Sequence, residues 1–540
     1  MDRLPPEEKR LLQAAAVVGK DVPCPLLQAI AELPEETLRQ GLTHLQAAEF
    51  LYELSLFPDP EYTFKHALTH EVAYGSLLHE RRRMLHARLV EVIETLSPDR
   101  LAEPGEQLAH HALRGEVWEK AVAYLWQAGV KAFARSANRE AVARFEQALA
   151  ALAHLPETRE RVGQAIDLRL HLYSSLNPLA EFEKLGRYLR EAEGLAGTLN
   201  DQRRLGRVLV LTGYFLWITG RSAEARTAAQ SAQAIGETLG DVLLEVGGNH
   251  YVGGVCLTSG DYPQAEASLR KVVQLLEGDR GRDRYGLAGF PAAMARSELA
   301  WALAERGAFD EGIAHGQEGV RIAEVLDHPF SWVVASWGPA YLYRIRGEFP
   351  HAVRLLERAL ALCREWDLLQ PLWITSGFLA SAYALSGRVA DGLSLLDEGL
   401  KAPAHWQALI VAHLGEAYTL ADRLDDALAS AGRALTLARE RGQRGYEAWV
   451  LHVLGEIASH RVPQDVEPAE GHYRQAMALA EELGMRPLIA RCHLGLGQLY
   501  QRGNRPEQGR THLGTARTMF REMGMRFWLE QVEADLKELG

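Results

Sequence analysis

The sequence predicts an all-α solenoid, a superhelix of long helical hairpins, carrying a small N-terminal domain of a different pattern. Three observations predict it. A short motif pivoting on glycine recurs through most of the chain; Leu, Ala, Glu and Arg dominate while long valine/isoleucine strands are missing; and 540 residues exceed what one hydrophobic core organises.

Residues 1–96 open the chain. LPPEEKRLLQAAAVV reads as a helix introduced by proline, PCPLLQAIAEL as a second and PEETLRQGLTHLQAAE as a third. FLYEL and EYTF are short extended pieces separated by FPDP. Three helices and a hairpin spell a winged helix, followed by a connecting helix that runs to residue 96.

Residues 97–205 read as degenerate, irregular repeats. HHALRGEVWEKAVAYL and ARSANREAVARFEQAL place Gly115 and Ser136 at the pivot, and the stretch from 156 to 205, broken at Asn177-Pro178, is the least regular. Regular repeats occupy 206–525. LTGYFLWITGRSAEA, YVGGVCLTSGDYPQA, LAWALAERGAFDEG, PAYLYRIRGEFPHA, LASAYALSGRVADG, LGEAYTLADRLDDA and LGQLYQRGNRPEQG align on pivots Gly220, Gly260, Gly307, Gly347, Gly387, Asp422 and Gly503. Each pivot lies between two helix-length apolar patterns, so it marks a tight turn where glycine takes positive φ cheaply. Ala225, Ala265, Gly312, Ala352, Gly392 and Ala427, five positions on, let the second helix approach the first. Second helices close at Gly240, Gly442, Gly484 and Gly524.

The first pivot spacings of 40, 47, 40, 40 and 35 residues exceed the tetratricopeptide unit of about 34. This predicts a tetratricopeptide-type array whose helix pairs are roughly one turn longer. GDRGRDRYGLAGFP lengthens one connection, APAHW shortens another, HRVPQDVEP replaces a turn, and residues 526–540 read as a capping helix. No single hairpin buries enough surface to stand alone, so neighbour contacts hold the array and leave a curved superhelix with an inner groove.

The segment after the hairpin carries a family likeness. Tyr62, Phe64, His66, Leu68, Glu71, Val72, Ala73, Tyr74, Leu77, Leu78, Arg81, Arg82, Leu85 and His86 resemble the winged-helix and tetratricopeptide region that follows the ATPase module in bacterial STAND-type signalling ATPases, often fused to class III adenylate cyclases. The resemblance implies a surface that docks an ATPase or cyclase module, with Phe64, His66, Glu71, Tyr74, Arg81, Arg82 and His86 as its candidate residues. Neither module precedes Met1, so the chain reads as the back half of such a protein, whether fragment, split gene product or standalone relative.

Several chemistries find no support. A net charge of −12 disfavours nucleic acid as main partner. Residues 1–96 hold 10 Lys/Arg against 15 Asp/Glu, and Glu35-Glu36 opens the candidate recognition helix. Arg81, Arg82 and Arg83 therefore read as solvated or ion-paired. AVVGKD lacks the first glycine of a phosphate loop and sets Asp21 where Ser/Thr should meet magnesium. His66 and His70 lie at i, i+4, but Ala67 stands where a zinc protease needs glutamate; the reading is that His66 docks its helix and His70 is exposed. His110-His111 is weaker still. Cys24, Cys256, Cys363 and Cys492 show no disulfide or zinc spacing.

No catalytic residue, cofactor site or metal site is thus expected. The acidic N-terminus, and the lack of any apolar run near the ~18 residues of a membrane span, predict a cytoplasmic protein without membrane contact. The expected partner is a protein or peptide held in the groove by aromatic residues of the first helices: Tyr214, Trp217, Tyr251, Trp301, Trp337, Tyr341, Phe378 and Tyr383. Tyr343, Tyr383, Tyr418 and Tyr500 recur at one repeat position, which marks them as packing residues too. Two other readings compete: a transcription regulator binding DNA through the winged helix, and the C-terminal part of an adenylate cyclase or ATPase polypeptide.

Overall fold

The computed structural model describes residues 4–55, 60–96, 105–461 and 466–539. It divides into two compact units, residues 1–168 and 169–540.

The first unit begins with α1 (Pro6–Val18), whose proline at the first turn and acidic Glu7 and Glu8 suit a helix N-terminus. Leu11, Leu12, Ala15 and Val18 form its buried face. Strand β1 (Asp21–Pro23), α2 (Cys24–Ala31), α3 (Glu35–Ala47) and the hairpin β2 (Leu51–Ser55) and β3 (Glu61–Phe64) follow. The sheet is antiparallel in the order β1-β3-β2, with Asp21 opposite Thr63 and Leu51 opposite Phe64. Three helices and a hairpin are as expected, whereas β1 is additional; three residues ending in proline are too few to show a period. Of the FPDP separator, all but Pro60 lies outside the described residues.

The expected connecting helix is two helices, α4 (Ala67–Gly75) and α5 (His79–Leu96). The Ser76 hydroxyl donates to the Ala73 carbonyl at 2.7 Å and closes α4. Next come α6 (Gly105–Arg114), α7 (Trp118–Ala134), α8 (Asn138–Leu152) and α9 (Arg159–Leu176), whose residues from Arg169 on, Tyr173 among them, belong to the second unit. Ser136 has φ +62°, as its pivot role requires, but at the other proposed pivot the left-handed residue is Glu116 (φ +56°), not Gly115. The two turns are the two ends of the one helix α7, which packs against both α6 and α8.

In the second unit a 3₁₀ turn at Asn177–Leu179 marks the expected break, and Ala180 leaves it at φ +59°. Then come α10 (Phe182–Leu199) and the hairpins α11 (Gln202–Ile218) with α12 (Ser222–Leu239), α13 (Val242–Ser259) with α14 (Tyr262–Leu275), α15 (Pro291–Arg306) with α16 (Phe309–Val325), and α17 (Pro329–Arg346) with α18 (Phe349–Glu365). After them stand α19 (Leu369–Leu385) with α20 (Val389–Gly399), α21 (Ala404–Leu420) with α22 (Leu424–Glu440), α23 (Arg444–Arg461) with α24 (Val466–Leu483), α25 (Arg486–Arg502) with α26 (Pro506–Glu522), and α27 (Arg526–Glu538). The long connection contains a 3₁₀ turn at Gly278–Arg282, and α20, ahead of APAHW, has only 11 residues. Residues 462–465 of HRVPQDVEP, and Gly540, lie outside the described residues.

Gly220, Gly260, Gly307, Gly347, Gly387 and Asp422 all have positive φ. At the last hairpin Asn504 (φ +57°) takes the pivot and Gly503 (φ −78°) does not. The small residue five positions on is then Gly509. These small residues do close the hairpins: a Cβ on Gly392 would lie 2.6 Å from the Ala380 carbonyl oxygen, and Ala225, Ala265, Ala352 and Ala427 are fully buried.

Candidate ligand cavity between the inner helices

The first helices of the hairpins are apolar nearly all round. In α13 every residue from Val246 to Thr258 is buried, and α15, α17 and α19 are similar. A helix without a polar face has to be covered on all sides. In the second unit the cover comes from helices much later in sequence. The Trp217 ring of α11 lies 4.5 Å from His405 of α21. Trp449 of α23 donates its indole N–H to the Glu305 carboxylate of α15 at 3.0 Å, and Trp528 of α27 donates to the Ile345 carbonyl of α17, also at 3.0 Å. The expected open groove is therefore closed, because the superhelix meets itself.

What remains is a cavity bounded by α9, α11, α13, α15, α17, α19 and α21. About 830 Å³ lies empty between its walls, but only about 70 Å³ admits the centre of a water molecule, so the space is a narrow slot. Tyr214, Trp217, Tyr251, Trp301 and Trp337 line it. Tyr341 stands behind, stacked on Trp301 at 3.7 Å, and Phe378 lies 5.5 Å from both Trp301 and Trp406. Tyr383 is not brought to the cavity: its hydroxyl donates to Glu357 at 2.7 Å and Arg388 covers its ring at 3.8 Å. Tyr418 meets Arg423 in the same way, a hairpin-packing device that repeats with the motif.

Trp217 and Trp337 show a second repeated device. Each donates its indole N–H at 2.9 Å to a threonine on the next inner helix, Thr258 and Thr375 respectively. With their polar edges satisfied, they add apolar aromatic surface to the cavity wall.

Sequence reasoning did not pick out Tyr173, His250, Glu298, Phe330, Gln370, His405 or Trp406, all of which line the space. Glu298 is the chemically distinctive one. Its Oε2 is buried without a hydrogen-bond partner, and its Oε1 lies 3.6 Å from His250 Nε2, too far for a hydrogen bond. Burial pushes its carboxyl up to about 8 and the His250 imidazole down to about 4. Glu305, two turns along α15, contrasts with it. Burial raises Glu305 to about 7, against the opposing pull of hydrogen bonds from Tyr341, at 2.6 Å, and Trp449. A signal existed for both acids: Met294, Glu298, Trp301 and Glu305 fall on one stripe of α15, two charges on an otherwise apolar face.

In the first unit, Phe64, Tyr74, Arg82 and His86 are packed inward, while His66, Glu71 and Arg81 are exposed. Phe64 meets the edge of His70 at 5.0 Å, and the Tyr74 hydroxyl bonds His86 Nε2 at 3.0 Å beneath the Arg82 guanidinium. His86 Nδ1 lies 2.9 Å from His111 Nδ1, and burial holds the pair down to about 3 and about 4. The roles of His66 and His70 are exchanged relative to expectation. His66 has extended backbone ahead of α4 and points away, whereas His70 is on the helix and bonds the Ala16 carbonyl at 3.0 Å. Arg83 pairs with Glu80 at 2.6 Å. Among the described residues no group of three or more His, Cys, Asp or Glu could hold a metal ion, and no helix is long and apolar enough to cross a membrane.

Residues 490–515, in α25 and α26, match the family described as Tetratricopeptide repeat. An uncharacterized protein of Rhizobium meliloti (strain 1021) is 23% identical over 518 residues, covering 91% of this chain and 48% of that protein. The chain thus spans about half the length of this curated relative. The solved structure of a Rap protein complexed with competence and sporulation factor is similar with a TM-score of 0.52 and 15% identity, covering 67% of this chain and 98% of that one. A STAND protein with a tetratricopeptide repeat sensor from Pyrococcus horikoshii has a TM-score of 0.36 and 14% identity, covering 77% of this chain and 65% of its own. The chain is an all-α, tetratricopeptide-type α-solenoid.

Proposed function

We propose that this chain is a noncatalytic scaffold or sensor arm that holds a protein or peptide segment in the cavity of its repeats. The observation that carries the reading is the set of tryptophans that line that cavity, two of them, Trp217 and Trp337, with their indole N–H groups already bonded to threonines. Aromatic faces in a desolvated pocket are effective anchors for a partner's side chains. The Rap protein of similar fold is itself in complex with a competence and sporulation factor.

The finer reading rests on the resemblance of residues 62–86. It takes 1–96 as a winged-helix-like domain with its connecting helix, 97–205 as degenerate repeats, 206–525 as the repeat array and 526–540 as its cap, the whole acting in the cytoplasm as the tail of a STAND-type signalling system. Exposed His66, Glu71 and Arg81, beside exposed Leu68 and Val72 on α4, are the surface on which an ATPase or cyclase module would dock.

Selection of displayed peptides on the full chain tests the holding function. Enriched peptides should lose about tenfold in affinity, about 1.4 kcal/mol, on Trp337→Leu while the circular dichroism is unchanged. Failure to enrich any peptide, or equal binding by the variant, would refute the reading.

A further inference from the structure

Four tryptophans, Trp217, Trp301, Trp337 and Trp406, line the slot together with the carboxyl group of Glu298, whose Oε2 is buried. Two of the indoles have spent their N–H groups on threonines, so only their aromatic carbon surface is left to line the cavity. Aromatic faces attract cations, most strongly where water is excluded. A carboxyl group in the same space adds a counter-charge once it gives up its proton.

Around Glu298 the titratable neighbours supply no positive charge. On α13 are His250, held neutral by burial, and Tyr251; Tyr214 is on α11 and Tyr446 on α23, and burial raises all three phenols. Glu305 is on its own helix. Among the described residues no Lys or Arg is paired with Glu298, unlike Glu416, which Arg344 meets at 2.5 Å.

We infer that this cavity takes a slender organic cation, an alkylammonium group carried either by a lysine side chain or by a free amine, with Glu298 as its counter-ion and the indole faces as its cage. The narrow space selects the shape, since about 70 Å³ open to water centres admits an alkyl stem and not a folded element. The inference rests on the reading of the cavity as a binding site and names the chemistry of what enters it. Because burial keeps Glu298 largely protonated at neutral pH, cation binding expels its proton. Affinity then rises about tenfold per pH unit up to about pH 8 and levels off above.

The test is calorimetric titration of the full chain with n-butylammonium and with 1-butanol, its neutral counterpart. Two short blocked peptides follow, one with a lysine and one with that lysine acetylated. The ammonium and the lysine peptide should bind, with proton release seen as buffer-dependent heat, and Glu298→Gln should weaken both by about tenfold or more at unchanged thermal midpoint at low pH. A stronger lysine peptide assigns the cation to a polypeptide partner, a stronger butylammonium to a free amine. Equal binding of 1-butanol, no binding of either cation, or an affinity flat between pH 6 and pH 8 overturns the inference; the pH profile uses unaltered protein and decides even if the variant folds poorly. Peptides selected by display that bind wild type and Glu298→Gln alike would overturn the cation yet leave the holding function standing. Glu298-dependent butylammonium binding without any selectable peptide would do the reverse.

Discussion

Replacing Glu298 by glutamine should flatten the pH dependence of stability. Its carboxyl titrates at about 8 in the folded chain, against 4.5 in an unperturbed one. Between those values the folded state keeps a proton that the unfolded state has given up, so stability from this group is full below pH 4.5 and lost as pH rises through about 8. Each pH unit in that window is worth up to about 1.4 kcal/mol. Going from pH 5 to pH 8 therefore removes about 3–4 kcal/mol from the wild type through Glu298. Glutamine has the same shape and no charge to bury. The variant should match wild type at pH 5 and exceed it progressively towards pH 8. Urea unfolding followed by tryptophan fluorescence at several pH values measures the difference, in which Glu305 and the histidines, common to both proteins, cancel. Midpoints of wild type and variant that move in parallel over the whole range would refute the assignment of a buried, unpaired acid.

Three other substitutions probe the packing. Gly392→Ala puts a Cβ 2.6 Å from the Ala380 carbonyl oxygen and should cost about 1–3 kcal/mol in chemical denaturation, since backbone cannot swing aside. Trp449→Phe removes an indole donor from Glu305 and should cost about 1–3 kcal/mol; the loss should grow above pH 7, where the carboxylate left behind is charged. Thr258→Val strands the Trp217 N–H in a buried site, with an expected cost of about 1–3 kcal/mol in thermal unfolding and a shift in tryptophan emission.

The hairpins were legible because a left-handed turn restricts residue choice. Gly220 through Gly387 announce themselves, and even Asp422 was placed by its neighbours. The same reasoning slipped by one residue where glycine sits beside the real pivot. Asn504 and Glu116 take φ near +57° although Gly503 and Gly115 were available, because the turn's place is fixed by where the flanking helices end. Trp217, Trp301 and Trp337 could be read as inward-facing from their place on the inner helices. Trp406 and Phe330 could not, because they begin their helices, outside the recurring motif. Tyr173 belongs to the irregular stretch, and only superhelical closure brings it to the others. That closure had a signal in the chain: VGGNHYVGGVCL and FSWVVASWGPAYLY have no polar face, so an open groove would have left them exposed.

Closure explains why so many polar groups lie among the inner helices, and how they are satisfied separates architecture from function. A buried charge is tolerated when partners surround it and is costly otherwise. Arg344 has Glu416 and the Ser381 hydroxyl, at 2.5 and 2.7 Å. Glu305 has Tyr341 and Trp449, and through them it ties helices from different turns of the superhelix. Both arrangements hold the closed coil together. Glu298, on the same helix as Glu305 and two turns away, has among the described residues no donor on its Oε2 and no Lys or Arg beside it, and its Oε1 lies 3.6 Å from His250. Packing alone gives no reason for an acid there, since methionine or glutamine would fill the space without the charge. The structural acids are those whose partners fold with them; Glu298 has the geometry of one whose partner arrives from outside.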